Sequence, residues 1–365
     1  MPLTATDRLY LERAYELAAR GIGSTAPNPS VGAVIVRDGK VLGEGYHHKA
    51  GLPHAEVNAL REAGDARGAT VYVSLEPCNH VGKTPPCSQA LVDAGIARVV
   101  TGALDPNPKN NGLGLQRLRE AGIAVDVADD ARAKALIEPF TYAILADRPY
   151  IALKMAMSLD GCITSKPGVQ EWITSEDERL YVRDLRIAYD AVMVGAGTAR
   201  VDDPQLTVRP PFHRLRPFTR VIACETGTIP ADRRVFAALD DYSPTIVLAP
   251  AGARAQFDNL RDVAQVVFVG DARATQLDLP EAMRALKSCG IQSVLCEGGP
   301  TLGARLIEGN LVNRLYWAIA PVLLRNDDSV PVLAGAHLAT VGRRLRFDTM
   351  ERVGPDVVLS GVFDV

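Results

Sequence analysis

Strand-like and helix-like segments alternate from the N-terminus to about residue 145, stop at Arg148-Pro149, and then begin again. This interrupted rhythm constrains the fold more than any other feature, because alternating strands and helices build layered α/β domains and a break separates two of them. Residues 7–20 place Leu11, Ala14, Tyr15 and Ala18 at helical spacing, with Gly21 closing the helix. The stretch 31–46 reads as a hairpin, since Asp38-Gly39 is a two-residue turn signal between apolar strands. Helices over 54–64 and 87–95 then alternate with strands over 69–77 and 98–106, and shorter elements follow at 116–120 and 124–128. After the break, a strand from Tyr150 to Met157 opens a second series. Its further strands lie at 190–197, 220–225, 244–250, 265–271, 293–299 and 314–324, with helices at 176–189, 279–290 and 301–310. The Pro-rich stretch 203–220 reads as a loop over a site or the surface. At roughly 150 residues per domain, the 365-residue chain holds two domains, 1–146 and 147–365.

Charge and composition narrow the function. Lys and Arg number 40 against 43 Asp and Glu, a net charge of −3 that lacks the basic excess of nucleic-acid binders. No apolar run reaches the roughly 18 to 20 residues of a membrane helix, and the N-terminus is charged throughout, so secretion and membrane insertion are not expected. Six cysteines are too few for a disulfide framework. A reducing, cytoplasmic setting follows, in which thiols near a histidine deserve a test as metal ligands.

Three short segments pass that test together: Pro53-His54-Ala55-Glu56, Glu76-Pro77-Cys78 and Pro85-Pro86-Cys87. His54 and Cys87 each follow a proline and open a helix, where the positive helix end favours a thiolate. One imidazole and two thiolates form the three-ligand catalytic zinc arrangement, with water in the fourth position. Glu56, two residues from His54, has the reach to take that water's proton and pass it to a ring nitrogen and a leaving amine. H-x-E followed by P-C-x-x-C is the signature of zinc deaminases; here eight residues, not two, separate Cys78 from Cys87. The blander readings are a core histidine with buried small thiols, or a structural zinc completed by His47, His48 or His80.

The longer motifs carry a resemblance. Asn28-Pro29-Ser30-Val31-Gly32, Gly43-Glu44-Gly45-Tyr46-His47, the segment from Gly82 to Cys87, and Asp105-Pro106-Asn107-Pro108 resemble the deaminase half of the bifunctional riboflavin biosynthesis deaminase-reductases. Lys154 to Gly161, Trp172-Ile173-Thr174, Val194 to Thr198, Asp202 to Arg209 and Glu297 to Leu302 resemble the reductase half, so the similarity spans nearly the whole chain. The resemblance implies a cytidine-deaminase-like three-layer α/β/α domain followed by a dihydrofolate-reductase-like α/β domain. It implies hydrolytic deamination of a diaminopyrimidinone ribosylamine 5′-phosphate, then NADPH-dependent reduction of the ribosyl group to ribityl. His54, Cys78 and Cys87 would hold one Zn2+ per chain and Glu56 would shuttle protons. Asn28, His47, Lys83, Asp105 and Asn107 would contact the deaminase substrate.

In the second domain, Met157, Trp172, Thr198, Asp202 and the run Gly299, Pro300, Thr301, Leu302, Gly303, Ala304 and Arg305 match cofactor positions. Gln170, Arg186, Leu206, Arg209 and Glu297 match substrate positions, with a homo-oligomeric assembly expected. Independently of the family, a strand ending in Gly298-Gly299 before a helix can cradle a phosphate on helix N–H groups, and Arg186 with Arg209 could clamp a sugar phosphate. Glu297, at a strand end, would orient sugar hydroxyls. Gly195-Ala196-Gly197 is a weak dinucleotide signal, because Arg200 stands where a third glycine belongs. Gln170, Cys224-Glu225 and Lys109-Asn110-Asn111 depart from the family pattern, while Cys162, Cys289 and Cys296 read as core residues. Two other readings stay open: a nucleobase, nucleoside or tRNA deaminase with an unrelated second domain, and a zinc-stabilised nucleotide-binding module without turnover.

Overall fold

Asp38 and Gly39 adopt φ of +52° and +75°, the left-handed pair that a two-residue hairpin turn requires. They join β1 (Gly32–Arg37) to β2 (Lys40–Tyr46) with Arg37 opposite Lys40 and a one-residue register shift between Ile35 and Val36. A computed structural model describes residues 3–363 except 81–84, 210–213, 215, 228, 240, 241, 243 and 336–343. The chain divides into two units, Met1–Ala146 and Asp147–Val365.

In the first unit, β3 (Thr70–Val73) pairs antiparallel with β1 and parallel with β4 (Arg98–Thr101), and β5 (Ala124–Val127) closes the sheet order β2-β1-β3-β4-β5. Side chains alternate across it. Ile35, Val71, Val73 and Val99 pack with α2 (Ala55–Ala63), α3 (Cys87–Asp93) and α4 (Leu113–Glu120) on one face. Val34, Val36, Tyr72 and Val100 pack with α1 (Ala5–Ala19) and α5 (Ala131–Leu136) on the other, near the following α6 (Glu138–Leu145). The result is three layers, α/β/α, with each fully buried Val or Leu contributing about 1.5 to 3 kcal/mol. A Cβ on Gly45 would lie 2.4 Å from the Ala55 carbonyl oxygen, so the start of α2 lies flush on β2. Asp7 locks α1 in place: it caps the helix through Thr4 and accepts from Tyr72 Oη at 2.9 Å and Arg98 Nη1 at 2.7 Å. Burial alone would raise its pKa, but these bonds, Arg98 foremost, hold it well below the usual carboxylate range.

Glu76, 3% exposed, organises the loops beyond β3 and β4. Its carboxylate accepts from the backbone N–H of Asp105 (3.1 Å), Gly112 (2.9 Å), Gly114 (2.9 Å) and Leu115 (3.4 Å). Three of those donors are the free N–H groups at the start of α4, where a negative charge complements the helix dipole. Gly114 cannot carry a side chain, because a Cβ would meet the Pro77 carbonyl oxygen at 1.9 Å. Glu76 and Gly114 together press Pro77-Cys78 against α4.

In the second unit, β6 (Tyr150–Ser158), β8 (Ala191–Gly195), β9 (Thr219–Ala223), β10 (Thr245–Pro250), β11 (Ala264–Val269), β12 (Ser293–Cys296) and β13 (Arg314–Ala320) run parallel. β16 (Asp356–Phe363) and β15 (Leu345–Val353) add antiparallel, giving the order β11-β10-β9-β8-β12-β6-β13-β16-β15. Covered on both faces, the central strands β6, β8, β10 and β12 are mostly apolar, with Lys154 the charged residue among them. Met193, Leu248 and Val294 pack with α9 (Leu279–Ser288) and α10 (Pro300–Glu308), while Val192, Ile222 and Val247 pack with Phe257 and Leu260 of a 3-10 helix. α7 (Glu176–Ile187) and α8 (Ala196–Val201) flank β8, and β7 (Cys162–Thr164) pairs with β14 (Val330–Pro331). The sequence reading did not name the β15–β16 hairpin. Nearly every residue of β15 is exposed, Phe347 and Met350 included, so its short Leu345-Arg346-Phe347-Asp348 alternation marks no buried face.

Replacing Glu76 by Gln keeps its size but aims an N–H at backbone donors that need an acceptor. Glu76→Gln is expected to destabilise the first unit by about 2 to 3 kcal/mol, seen as a lower urea midpoint, whereas the exposed Glu120→Gln stays within about 0.5 kcal/mol of the parent. Equal midpoints for the two variants would remove Glu76 from this role.

Candidate active sites

His54 occupies the N-cap position of α2 but makes no side-chain cap, which leaves its ring free to face the two cysteines. Cys87 is the first residue of α3 after Pro86, and Cys78 arrives from the β3 end. Nδ1 of His54 lies 3.5 Å from Cys78 Sγ and 3.3 Å from Cys87 Sγ. Tetrahedral zinc with about 2.3 Å bonds to sulfur and about 2.0 Å to nitrogen separates such donors by about 3.6 Å, so the three residues fit the metal. Among the described residues no fourth Cys, His, Asp or Glu joins this group, which leaves the open rather than the closed type of site. The two thiols differ. Contact with the Cys87 thiol, ahead of His54, draws the Cys78 pKa below the usual thiol value, while the same contact and burial push Cys87 up. Glu56, in the first turn of α2, is 3% exposed. Burial, and next the Cys78 charge, push its carboxyl up to about 7.

His47 packs edge-on against His54, ring centroids 5.0 Å apart. Its Nδ1 donates to the Pro53 carbonyl (3.1 Å), which makes Nε2 the acceptor for Asn28 Nδ2 (3.2 Å). With both nitrogens engaged, His47 is not a fourth donor, and burial lowers its pKa. Asp105 is buried; its oxygens accept from Asn107 N (2.9 Å) and Asn110 Nδ2 (3.0 Å), and burial raises its pKa. Asn107 Oδ1 in turn accepts from Lys109 N. Asn110, which the sequence marks only as part of a departure from the family pattern, is fully buried and accepts from Asn79 N at 2.7 Å, while Asn79 Oδ1 accepts from Ser88 Oγ. Asn79 and Ser88 directly follow the two cysteines, so this polar chain backs the site. Lys83 lies outside the described residues.

In the second unit the carboxyl ends of β6, β12, β8 and β9 border a cleft of about 830 Å³, the usual ligand position on a parallel sheet. Trp172, Thr198, Asp202, Gly299, Pro300, Thr301, Leu302 and Arg305 line it, as do Gln170, Arg186, Leu206, Arg209 and Glu297. Met157, Gly303 and Ala304 lie off the lining. Met157 Sδ accepts from Trp317 Nε1 at 2.8 Å, and Gly303 faces Met155 of β6. Gly299 caps α10 without a side chain and Pro300 follows, so the helix's first N–H groups stay available for an anion. Leu206 is buried with φ of +52°, a strained conformation for leucine that no sequence pattern announces.

Charges in the cleft are mostly paired. Arg186 meets Glu297 through Nε (2.6 Å) and Nη2 (2.7 Å) and donates Nη1 to the Thr207 carbonyl (2.8 Å). Its fork is therefore filled by Glu297 rather than free to clamp a phosphate. Lys154, which the sequence reading did not single out, pairs with Glu178 at 2.7 Å, and Thr174 Oγ1 donates to the same carboxylate. A lysine inside the buried run of β6 was the available signal. Arg209 is the exception: its buried Nε finds no acceptor among the described residues. Burial first, then Arg183, Arg186 and Arg234, lower its pKa.

Over residues 4–103 the chain matches the cytidine and deoxycytidylate deaminase zinc-binding region, and over 149–359 the RibD C-terminal domain. It is 40% identical to riboflavin biosynthesis protein RibD of Escherichia coli strain K12, across 97% of this chain and 98% of that one. The RibD of Aquifex aeolicus is 38% identical across 97% of each chain. Acinetobacter baumannii RibD superposes with a TM-score of 0.86 at 34% identity over 99% of both chains. The Thermotoga maritima diaminohydroxyphosphoribosylaminopyrimidine deaminase/5-amino-6-(5-phosphoribosylamino)uracil reductase gives 0.87 at 32% identity, over 98% of this chain and 99% of its own. A reductase match across most of the second unit removes the reading in which that unit is unrelated to the first. With a zinc-binding deaminase region, a RibD C-terminal domain over more than half of its length and relatives 40% and 38% identical over nearly full length, this chain belongs to the RibD family of bifunctional riboflavin-biosynthesis enzymes.

Proposed function

We propose that the first unit hydrolyses the exocyclic amine of a diaminopyrimidinone ribosylamine 5′-phosphate and that the second reduces the ribosyl group of the product to ribityl. The observation that carries the first step is the meeting of His54 Nδ1, Cys78 Sγ and Cys87 Sγ beside the buried carboxylate of Glu56. His54, Cys78 and Cys87 hold the zinc, which supplies the Lewis acidity that activates water at neutral pH. Glu56 takes one proton from the attacking water and delivers it to the ring nitrogen, then carries the proton of the added hydroxyl to the amino group, so that the C–N bond breaks, ammonia leaves and the carbonyl forms. Asn28 and His47, bonded to each other, orient the pyrimidine. Asp105 and Asn107 support that pocket through their loop, and Lys83 carries the phosphate contact.

In the second unit, Thr198, Asp202, Trp172 and the α10 start from Gly299 to Leu302 hold NADPH, which supplies the hydride. Met157, Gly303 and Ala304 back that surface, and Arg305 contacts the cofactor from the α10 end. Glu297, fixed by the Arg186 fork, orients the ribosyl hydroxyls. Arg209 takes the substrate phosphate, with Gln170 and Leu206 beside it; its unpartnered buried Nε supports this assignment. The enzyme works in the cytoplasm on small molecules, without nucleic acid or membrane. The near-neutral charge supports this, as does the absence among the described residues of a helix long and apolar enough to cross a membrane. It acts as a homo-oligomer, for which exposed Phe347 and Met350 on the edge strand β15 offer an apolar surface.

The test is incubation with the aminopyrimidine phosphate while ammonia and NADPH are followed separately. Glu56→Gln is expected to keep roughly one zinc per chain by elemental analysis yet lose ammonia release by about 10²-fold or more, with NADPH consumption on the deaminated substrate unchanged. Loss of both activities, or of neither, contradicts the assignment. Arg209→Gln is expected to raise KM for the phosphorylated reductase substrate about tenfold or more with kcat nearly preserved, the pattern of lost uniform binding. An unchanged KM would place the phosphate elsewhere.

A further inference from the structure

We infer that Glu225 sets the nicotinamide dinucleotide preference of the second unit by occupying the guanidinium that would otherwise receive a 2′-phosphate; this rests on reading the cleft as a dinucleotide site. β9 ends at Ala223, and Glu225 enters the cleft two residues later. The strand ends follow the order β9, β8, β12, β6. Glu297 follows β12 and Lys154 lies on β6, so Glu225 sits two strands beyond the substrate side. A dinucleotide with its pyrophosphate on the α10 N–H groups and its nicotinamide toward Glu297 must extend its adenosine toward the end of β9.

Two opposed selectors meet at that end. A carboxylate at a strand end accepts the ribose 2′-hydroxyl of NAD(H), whereas an arginine accommodates the 2′-phosphate of NADP(H). Here both are present and bound to each other: Glu225 Oε1 lies 2.6 Å from Arg305 Nη1. Arg305 Nη2 also donates to the Leu277 carbonyl at 2.6 Å, and Leu277 N donates back to Glu225 Oε1 at 3.2 Å. The two side chains are 40% and 35% exposed, so both are reachable from the cleft. A 2′-phosphate meets a neutralised arginine with a carboxylate beside it; a 2′-hydroxyl meets an acceptor. The second unit therefore takes NADH as well as NADPH, with weak discrimination between them. Arg200 of α8 lines the same cleft, so a second arginine remains there when Glu225 is removed and the change is one of degree.

Calorimetric titration of the full chain with NADP+ and NAD+ tests this without turnover. The parent is expected to bind NADP+ less than tenfold more tightly than NAD+. Glu225→Gln and Glu225→Ser are each expected to tighten NADP+ binding at least tenfold while NAD+ binding stays the same or weakens. A parent ratio of tenfold or more, a ratio unmoved within twofold in both variants, or equal tightening of both dinucleotides overturns the inference and leaves the reductase reading intact. Binding of neither dinucleotide by the parent overturns both.

Discussion

Four backbone N–H groups converge on one buried carboxylate, and the geometry of the first site descends from it. Glu76 draws the Asp105 loop and the start of α4 onto the segment that leaves β3, and Cys78 lies two residues further on. A thiolate can serve as a metal donor only if its backbone is fixed to within a fraction of an ångström, and here the fixing is done from behind. Asn110, Asn79 and Ser88 extend the same support to the residues that follow each cysteine. The candidate ligands thus depend on polar groups that never meet the substrate, as outer-shell partners commonly do.

The second unit solves its positioning problem differently. Its cleft lies at the ends of parallel strands already immobilised by packing on both faces, so the side chains there need only be oriented. Opposite charges do that work: Arg186 with Glu297, Lys154 with Glu178, and Arg305 with Glu225. The first two pairs are largely buried, and each keeps either charge from being buried alone, whereas the third stays within reach of solvent. The unpartnered Nε of Arg209 stands out against that pattern.

Much of this was legible in the residues because local chemistry and global fold agree. Asp38-Gly39 needs no tertiary context to make a turn, and proline before His54, Cys78 and Cys87 marks each as a segment start. The parallel strands of the second unit announced themselves as apolar runs. Other features were hidden because they are made by distant partners. Glu76 reads as an ordinary acid until the start of α4, 36 to 39 residues later, is folded against it. Nothing local shows that Arg186 spends its fork on Glu297, 111 residues away. The β15–β16 hairpin is weakly marked because its outer strand lies at an exposed edge, where charged residues are as numerous as apolar ones. Leu206 adopts a backbone conformation its own side chain disfavours, which only surrounding structure can impose.

Both tryptophans of the chain, Trp172 and Trp317, belong to the second unit. Trp172 is 69% exposed at the mouth of the cleft beneath the Arg179 guanidinium, whereas Trp317 is half-buried with its N–H on Met157. Indole emission from the intact polypeptide is consequently blind to the zinc half and divides, in the other, between a wet fluorophore at the entrance and a drier one tied to the sheet. The molecule carries its own optical probe, one that watches the cleft fill while ignoring the hydrolytic partner on the same chain.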